Sequence, residues 1–488
     1  MNCVKRKSTS GDSFVIAPKQ LNEECGVYGV YAPGEHAAKL AYFGLHALQH
    51  RGQESAGIAA ANGSDLRVHR DLGLVTQVFS TKAIEDLPGH LAIGHVRYST
   101  TGSPILENAQ PIVVDWSRGR VAVAHNGNLL NTARLRSSLE KEGYVFYSTS
   151  DTEVIAVLLA RHLENNSLEE AIARTMQTIE GAYSIVVATE TQLAAARDPY
   201  GIRPLSLGKT ASGYVVASET CALDISGASY VRDVEPGEIL IIDEHGLFSF
   251  VGQEKTRQSL CMFEFIYFAR PDSYLYGKTL YEVRREMGRL LAREAPVEAD
   301  IVMPVPDSGT PSAIGYAEEI GIPFGEGLIK NRYVGRTFIE PTQAIRQLGI
   351  RLKLNPLRSA IQGKRVVLVD DSIVRGNTSK QIVAVMREAG AREVHMRVSS
   401  PPVTWPCFYG IDTANREELI ASSMSVEEIR KFIGADSLEY LTLESLVKAT
   451  GREANEFCLA CLDGKYPIDV PRDVKLTKMI LENGESSG

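Results

Sequence analysis

The sequence has no apolar run long enough to cross a bilayer as a helix, and no internal repeat or low-complexity tract. The first absence excludes a helical membrane protein, and the second a solenoid. The first 24 residues lack the apolar core of a secretory signal. Lys5-Arg6-Lys7 could open a transit peptide, but Asp12, Glu23 and Glu24 count against one. There is no surplus of positive charge. The 52 basic and 60 acidic residues give a net charge of −8, which argues against broad binding to nucleic acid or anionic membranes. A local anion site stays open, because loops bind phosphate through backbone N–H groups. Cysteines are few and odd in number: Cys3, Cys25, Cys221, Cys261, Cys407, Cys458 and Cys461. In a long chain of apparently cytoplasmic type, that points to thiol or metal chemistry rather than a disulfide framework. What is present is an ordinary globular composition, 44% hydrophobic and 23% charged, over 488 residues. That length is too great for a single core, so two or more domains are expected.

From Gly26 to about Phe250 the chain alternates short β runs with a few helices. Residues 121–124 and 184–188 are apolar runs rich in Val and Ala. His36–His46 has apolar residues at helical spacing. A second helix begins at Ser150, where Ser150-Asp151-Thr152-Glu153 reads as a capping box before Val154–Leu159. Many short strands with few helices suggest stacked, mostly antiparallel sheets covered by helices. The pattern changes near Lys255. Ile301–Met303 and Val366–Val369 read as buried parallel strands, and Asn377–Ala389 as the helix after the second. This is βαβ grammar and implies a doubly wound sheet. Residues 331–355 lack periodicity, and so long a loop within a compact domain suggests a lid. The expected division is 1–24, 25–255, 256–475 and a polar tail, 476–488.

Cys25 lies where a mostly polar stretch of 24 residues without apolar period gives way to a strand-like pattern. Cutting the bond before it would set a free α-amine beside a thiol. That amine, with a pKa of roughly 7.7–8.0, could act as base to its own nucleophile. Taken alone, Cys25 also reads as a buried cysteine opening a strand. Four polar clusters stand at strand ends: His50–Ser55, Gly94–Thr100, His125–Asn128 and Ser150-Asp151. Each alone is compatible with turn chemistry. Together with Cys25, Gly181–Ser184 and Arg197–Leu205, they resemble the class II glutamine amidotransferase domain, an N-terminal nucleophile hydrolase with an αββα sandwich of α+β class. The resemblance implies that the Cys25 thiolate attacks the glutamine amide. It implies that Asn126 and the Gly127 N–H hold the oxyanion. Arg97 suits the α-carboxylate of glutamine and Asp151 its α-amine. Asp151 also suits the helix dipole.

Residues 365–379 run from an apolar strand into Asp370-Asp371, a small-residue loop and a helix. Loop amides at a helix N-terminus bind anions, and adjacent acids can hold ribose hydroxyls and help bind magnesium. The segment resembles the phosphoribosylpyrophosphate signature of type I phosphoribosyltransferases, an α/β fold. The resemblance implies that Gly376, Asn377, Thr378 and Ser379 cradle the 5-phosphate and that Asp370 and Asp371 face the ribose diol. Asp307, Ser308 and Gly309 would hold pyrophosphate, and one Mg2+ per subunit would take Ser308, Asp370 and Asp371. Lid residues Arg332 and Arg336 would meet the leaving pyrophosphate; a solvated basic loop is the plainer reading.

Jointly the halves resemble the glutamine phosphoribosylpyrophosphate amidotransferase family, which begins purine synthesis. This resemblance implies glutamine and phosphoribosylpyrophosphate as substrates and ammonia passing between two sites. It also implies a cytoplasmic homotetramer inhibited by purine nucleotides, with neither nucleic acid nor membrane as partner. Cys458-Leu459-Ala460-Cys461 alone could bind zinc or act as a redox dithiol. The family contains a subgroup with a propeptide, here 1–24, and one 4Fe–4S cluster per subunit. The contexts of Cys261, Cys407, Cys458 and Cys461 match its ligands. Cys221 is then spare and packed in a turn. Two other readings share parts of the pattern. A sugar-phosphate amidotransferase has no use for the 365–379 signature, and a phosphoribosyl-binding regulator has no use for a glutaminase set.

Overall fold

The computed structural model describes residues 25–98, 103–331, 354–411 and 415–470. Residues 26–251 form two antiparallel sheets, one of seven strands and one of six. In the seven-stranded sheet Gly26–Tyr31 lies between Leu91–Arg97 and Tyr214–Ala217. In the six-stranded sheet Gly119–Leu129 lies between Ile112–Trp116 and Gly181–Ala188. Strand alternation sets the layers. Val27 and Tyr31 face the other sheet and meet Ala122, Val186 and Leu240. Tyr28 and Val30 face outward onto the helices Ala37–Ala47 and Thr220–Ile225. The outer face of the second sheet is covered by Asp151–Leu163 and Leu168–Thr178. The result is the expected helix–sheet–sheet–helix sandwich. Strands buried on both faces read as continuous apolar runs, although they are antiparallel.

The second half is built on four parallel strands, Ile301–Pro304, Arg365–Asp370, Glu393–Val398 and Ser437–Tyr440, lying in chain order. Val302, Val367 and Val369 face the helices Leu280–Glu294 and Thr310–Ile320. Ile301, Val366 and Leu368 face Asn377–Glu388 and Val426–Ile433. Both faces are covered, as a doubly wound sheet requires.

The halves share one apolar core. Leu130, Ala182 and Ile202 of the first pack with Phe263, Tyr409 and Phe457 of the second. Buried Arg51 pairs with Glu219 of its own half and Glu264 of the other. Removing that guanidinium would take from buried Glu264 its cation, a change that typically costs about 3–5 kcal/mol. The short strand Leu260–Cys261 pairs in parallel with Phe457–Cys458, tying the C-terminal segment to the start of the second half.

Two details differ from the sequence reading. Ser150 caps its helix by accepting from Thr152 N at 3.3 Å, but the Glu153 carboxylate does not complete the box. It turns back to Tyr147 N at 2.9 Å and Ser148 N at 2.7 Å, because that preceding loop offers two otherwise orphaned amides. Cys221 sits in the helix Thr220–Ile225 rather than a turn, where its small side chain packs onto Ala47 and Leu223 of the same core. The expected lid, including Arg332 and Arg336, lies almost wholly outside the described residues. Its flanks, Leu328–Lys330 and Leu354–Pro356, pair antiparallel.

Two candidate active sites and a thiol-lined recess

Cys25 directly precedes the strand Gly26–Tyr31, and Gly26 pairs with Val96. The register therefore sets Cys25 beside Arg97, the last residue of its strand. Cys25 is buried, and its Sγ donates to Tyr98 O at 3.1 Å. Burial pushes the thiol up to about 11; Arg97 opposes this, while Asp151 and Glu54 add to it. Behind a peptide bond, then, the thiol is protonated at neutral pH. Arg97 is buried, donates to Ser103 O at 3.1 Å and lies 3.8 Å from Glu54 Oε2.

Asn126 and Gly127 come from the other sheet, opposite Ser184 and Tyr183. Asn126 Nδ2 is buried with no hydrogen-bond partner among the described residues. Gly127 has φ +148°, and a Cβ there would stand 1.9 Å from Ala182 O, so only glycine fits. Asp151 opens the helix behind this strand and accepts from Leu129 N at 3.2 Å. Its Oδ1 lies 3.6 Å from His125 Nδ1. Burial pushes the Asp151 carboxyl up, but His125, the Leu129 amide and Arg97 together hold it below the usual carboxylate range. His95 Nε2 donates to His125 O at 3.1 Å, and burial lowers the imidazole to about 3, so it is neutral. The five sequence-expected residues thus come from three strands and the start of one helix. His125, the Tyr98 carbonyl and Glu54 join them without having been singled out. His125 and Glu54 stood within the noted polar clusters, but nothing local distinguished their roles.

At the second site Asp370 ends its strand and Asp371 begins the loop. Both are buried. Burial and their mutual repulsion push Asp370 well above the ordinary range. Burial also raises Asp371, against hydrogen bonds from Ser308 and Ser372 and the charge of Arg284. Ser308 therefore meets Asp371. Gly376, at φ +73°, precedes the helix Asn377–Glu388, which sets Asn377, Thr378 and Ser379 in its first turn. Asp307 is exposed and bonds Lys330 Nζ at 2.8 Å. Gly309 precedes the helix Thr310–Ile320 and donates to Val305 O at 3.1 Å. Arg284 is the residue that sequence reasoning missed here. It sits in the helix Leu280–Glu294, a turn of sequence away from any motif, and donates to Phe265 O at 2.8 Å and Ala269 O at 2.7 Å.

Cys261, Cys407, Cys458 and Cys461 all line one small recess. Cys261 and Cys458 are direct register partners. The Tyr409 amide donates to Cys407 Sγ at 3.4 Å, and the Thr404 and Trp405 amides both donate to Cys461 O, at 3.0 and 3.1 Å. Cys221 lies elsewhere, in the core of the first half. Among the described residues, no group of three or more His, Cys, Asp or Glu stands close enough to hold a single metal ion.

Comparison with known proteins matches the two halves separately and together. A glutamine amidotransferase domain model fits residues 95–224, and a phosphoribosyl transferase domain model fits 277–400. The amidophosphoribosyltransferase of Synechococcus elongatus is 52% identical over 470 residues, covering 95% of each chain. That of Bacillus subtilis is 51% identical, covering 94% of this chain and 97% of its own. The chain belongs to the amidophosphoribosyltransferase family.

A solved amidophosphoribosyltransferase structure agrees. The glutamine phosphoribosylpyrophosphate amidotransferase of B. subtilis, complexed with ADP and GMP, superposes with a TM-score of 0.88 at 50% identity, covering 93% of this chain and 99% of its own. Like other amidophosphoribosyltransferases, this member is a transferase that moves nitrogen from glutamine to phosphoribosylpyrophosphate in purine biosynthesis. The sugar-phosphate and regulator readings fall away. No helix among the described residues is long and apolar enough to cross a membrane.

Proposed function

We propose that residues 1–24 are a propeptide and that the mature enzyme begins at Cys25. Its thiolate attacks the glutamine side-chain amide, and the freed α-amine takes and returns the proton. Asn126 Nδ2 and the Gly127 N–H hold the oxyanion. The unpartnered Nδ2 supports this, since a buried donor without a partner is costly unless a ligand satisfies it. Arg97 binds the α-carboxylate of glutamine in a fork, and Asp151, held ionised by His125, binds the α-amine. Ammonia leaves as a glutamyl thioester forms on Cys25, and water then hydrolyses the thioester to release glutamate and the thiol. Ammonia passes across the core shared by the halves to the second site, where it displaces pyrophosphate to give 5-phosphoribosylamine.

At that site Gly376, Asn377, Thr378 and Ser379 cradle the 5-phosphate, Asp370 and Asp371 the ribose hydroxyls, and Asp307, Ser308 and Gly309 the pyrophosphate. Arg332 and Arg336 are assigned to the leaving pyrophosphate by resemblance alone. The donor set Ser308, Asp370 and Asp371 fits one Mg2+, a hard cation that takes one or two carboxylates together with substrate phosphates. When bound, it neutralises charge on the pyrophosphate. Two adjacent buried carboxyls with raised pKa values are in keeping with a site that a cation completes.

The four thiols around one recess fit a 4Fe–4S cluster, which is held by four cysteines. The cluster's part is structural, fastening the tail near Gly464. We further propose a cytoplasmic homotetramer inhibited by purine nucleotides, with domains 25–255 and 256–475.

The observation that carries the reading is Cys25: buried beside Arg97 and Asp151, its thiol stands near 11 until an adjacent amine can act on it. N-terminal sequencing of active enzyme should begin at Cys25. Full glutamine-dependent activity in protein starting at Met1 would sink the proposal.

A further inference from the structure

One side chain in the wall of the recess carries a permanent charge. Arg203 lines it together with the four cysteines and Tyr409, and its exposure is 0%. Arg203 comes from the first half, between the strands Leu193–Arg197 and Ser206–Lys209. Tyr409 comes from the second. Arg203 Nε donates to Tyr409 O at 2.9 Å, and Nη2 donates to the same oxygen. A Cβ on Gly410 would lie 2.8 Å from Nη2, so the guanidinium rests directly on this backbone. The Tyr409 amide in turn donates to Cys407 Sγ at 3.4 Å. One residue thus ties the cation to a thiol, through its carbonyl on one side and its N–H on the other.

Four thiolates with sulfide and iron make a buried anion. Burying such charge is costly unless a fixed opposite charge accompanies it. Net charge and hydrogen bonds to sulfur also set the reduction potential of such a cluster. A guanidinium suits the task, because it stays ionised when buried and its planar fork holds direction.

We propose that Arg203 is the charge-compensating and positioning residue of the thiol-lined site: it holds the Cys407 loop and raises the reduction potential of the cluster bound by Cys261, Cys407, Cys458 and Cys461. The inference rests on the cluster reading above. It makes cluster retention depend on docking of the halves, since the cation belongs to one and the thiols to the other.

The test uses the full chain, purified anaerobically, as wild type, Arg203→Met and Arg203→Lys. Iron and sulfide per chain are measured, and the midpoint potential is taken by a mediated reductive titration followed by electron paramagnetic resonance. R203M is expected to hold at least about two-fold less iron, and its remaining clusters should titrate at a more negative potential. R203K keeps the charge and should stay close to the wild-type potential. An iron-free wild type would overturn the cluster reading and this inference with it. A loaded wild type with R203M at the same potential, or with R203K shifted as far as R203M, would overturn the role of Arg203 alone. If R203M does not fold, wild-type protein grown on isotope-labelled arginine decides. A hyperfine coupling from arginine nitrogen to the reduced cluster supports the assignment, and its absence overturns it.

Discussion

Asp151 in the antiparallel half and Asp371 in the parallel half are both buried, and both face an arginine: Arg97 for the first, Arg284 for the second. Burial raises both carboxyls, yet the outcomes are opposite. Asp151 also has His125 at 3.6 Å and the Leu129 amide at 3.2 Å, and is held below the usual range. Burial raises Asp371 above that range in spite of Ser308, Ser372 and Arg284, and the Asp371 charge adds to the burial that pushes its neighbour Asp370 well above it. The first site is balanced by the protein's own charges. The second carries a surplus of negative charge that an outside cation is suited to balance. The same contrast runs through the architecture. The first site draws residues from separate strands and a helix start, with Cys25 and Asp151 126 residues apart, whereas the second is mostly one continuous strand–loop–helix segment, 370–379.

The largest expected effect separates the sites altogether. Cys25→Ala should lower glutamine-dependent synthesis by roughly 10^4-fold or more and leave synthesis from high ammonia intact. Loss of the ammonia reaction in a folded variant would break the division into two sites. Next, Asp371→Asn should reduce both nitrogen routes by about 10^2-fold or more and raise the magnesium needed for half-maximal rate. Asp151→Asn should reduce only the glutamine route, mainly through KM. Equal damage to both routes by both variants would erase the contrast drawn here.

A third comparison sets two buried cysteines against each other. Cys458→Ser should give iron-poor, poorly soluble protein, because loss of a ligand costs folding as well as metal. Cys221→Ser should change stability by no more than about 1 kcal/mol, as its Sγ makes only weak contacts, with Ala47 O at 3.9 Å and Glu219 Oε2 at 3.7 Å. A colourless anaerobic preparation with stoichiometric zinc and full activity would refute the iron assignment.

The smallest effect is a pH slope. His95 is held near 3 in the fold, against 6.5 ordinarily, by burial first and then by Arg97 and His125, with the His125 carbonyl and Asp151 opposing. Above pH 6.5 both folded and unfolded states are neutral there, and His95 has no effect. Below it only the unfolded state gains the proton, so stability falls by about 1.4 kcal/mol per pH unit. Denaturant titrations at pH 7 and 5.5 should show this loss, and His95→Gln should remove it.

Much of this was legible in the chain. The switch from antiparallel to βαβ grammar, the helices near residues 37 and 151, and the loop after Val369 all follow from local periodicity and turn chemistry. The capping box at Ser150 was misread because Glu153 had a choice of amides, and only the loop at 147–148 decided between them. The resemblance also anticipated that Cys25, Arg97, Asn126 and Asp151 belong together, and that the four cysteines share one place. The sequence by itself determined the residue types, the strand-end clusters and the loop that presents Asp370 and Asp371, since those depend on neighbours in the chain. Only the tertiary structure decided that His125 steadies Asp151, that Arg284 faces Asp371, and that Arg203 crosses between the halves to Tyr409. Such pairings depend on distance and burial across sheets, and no local pattern of residues encodes them.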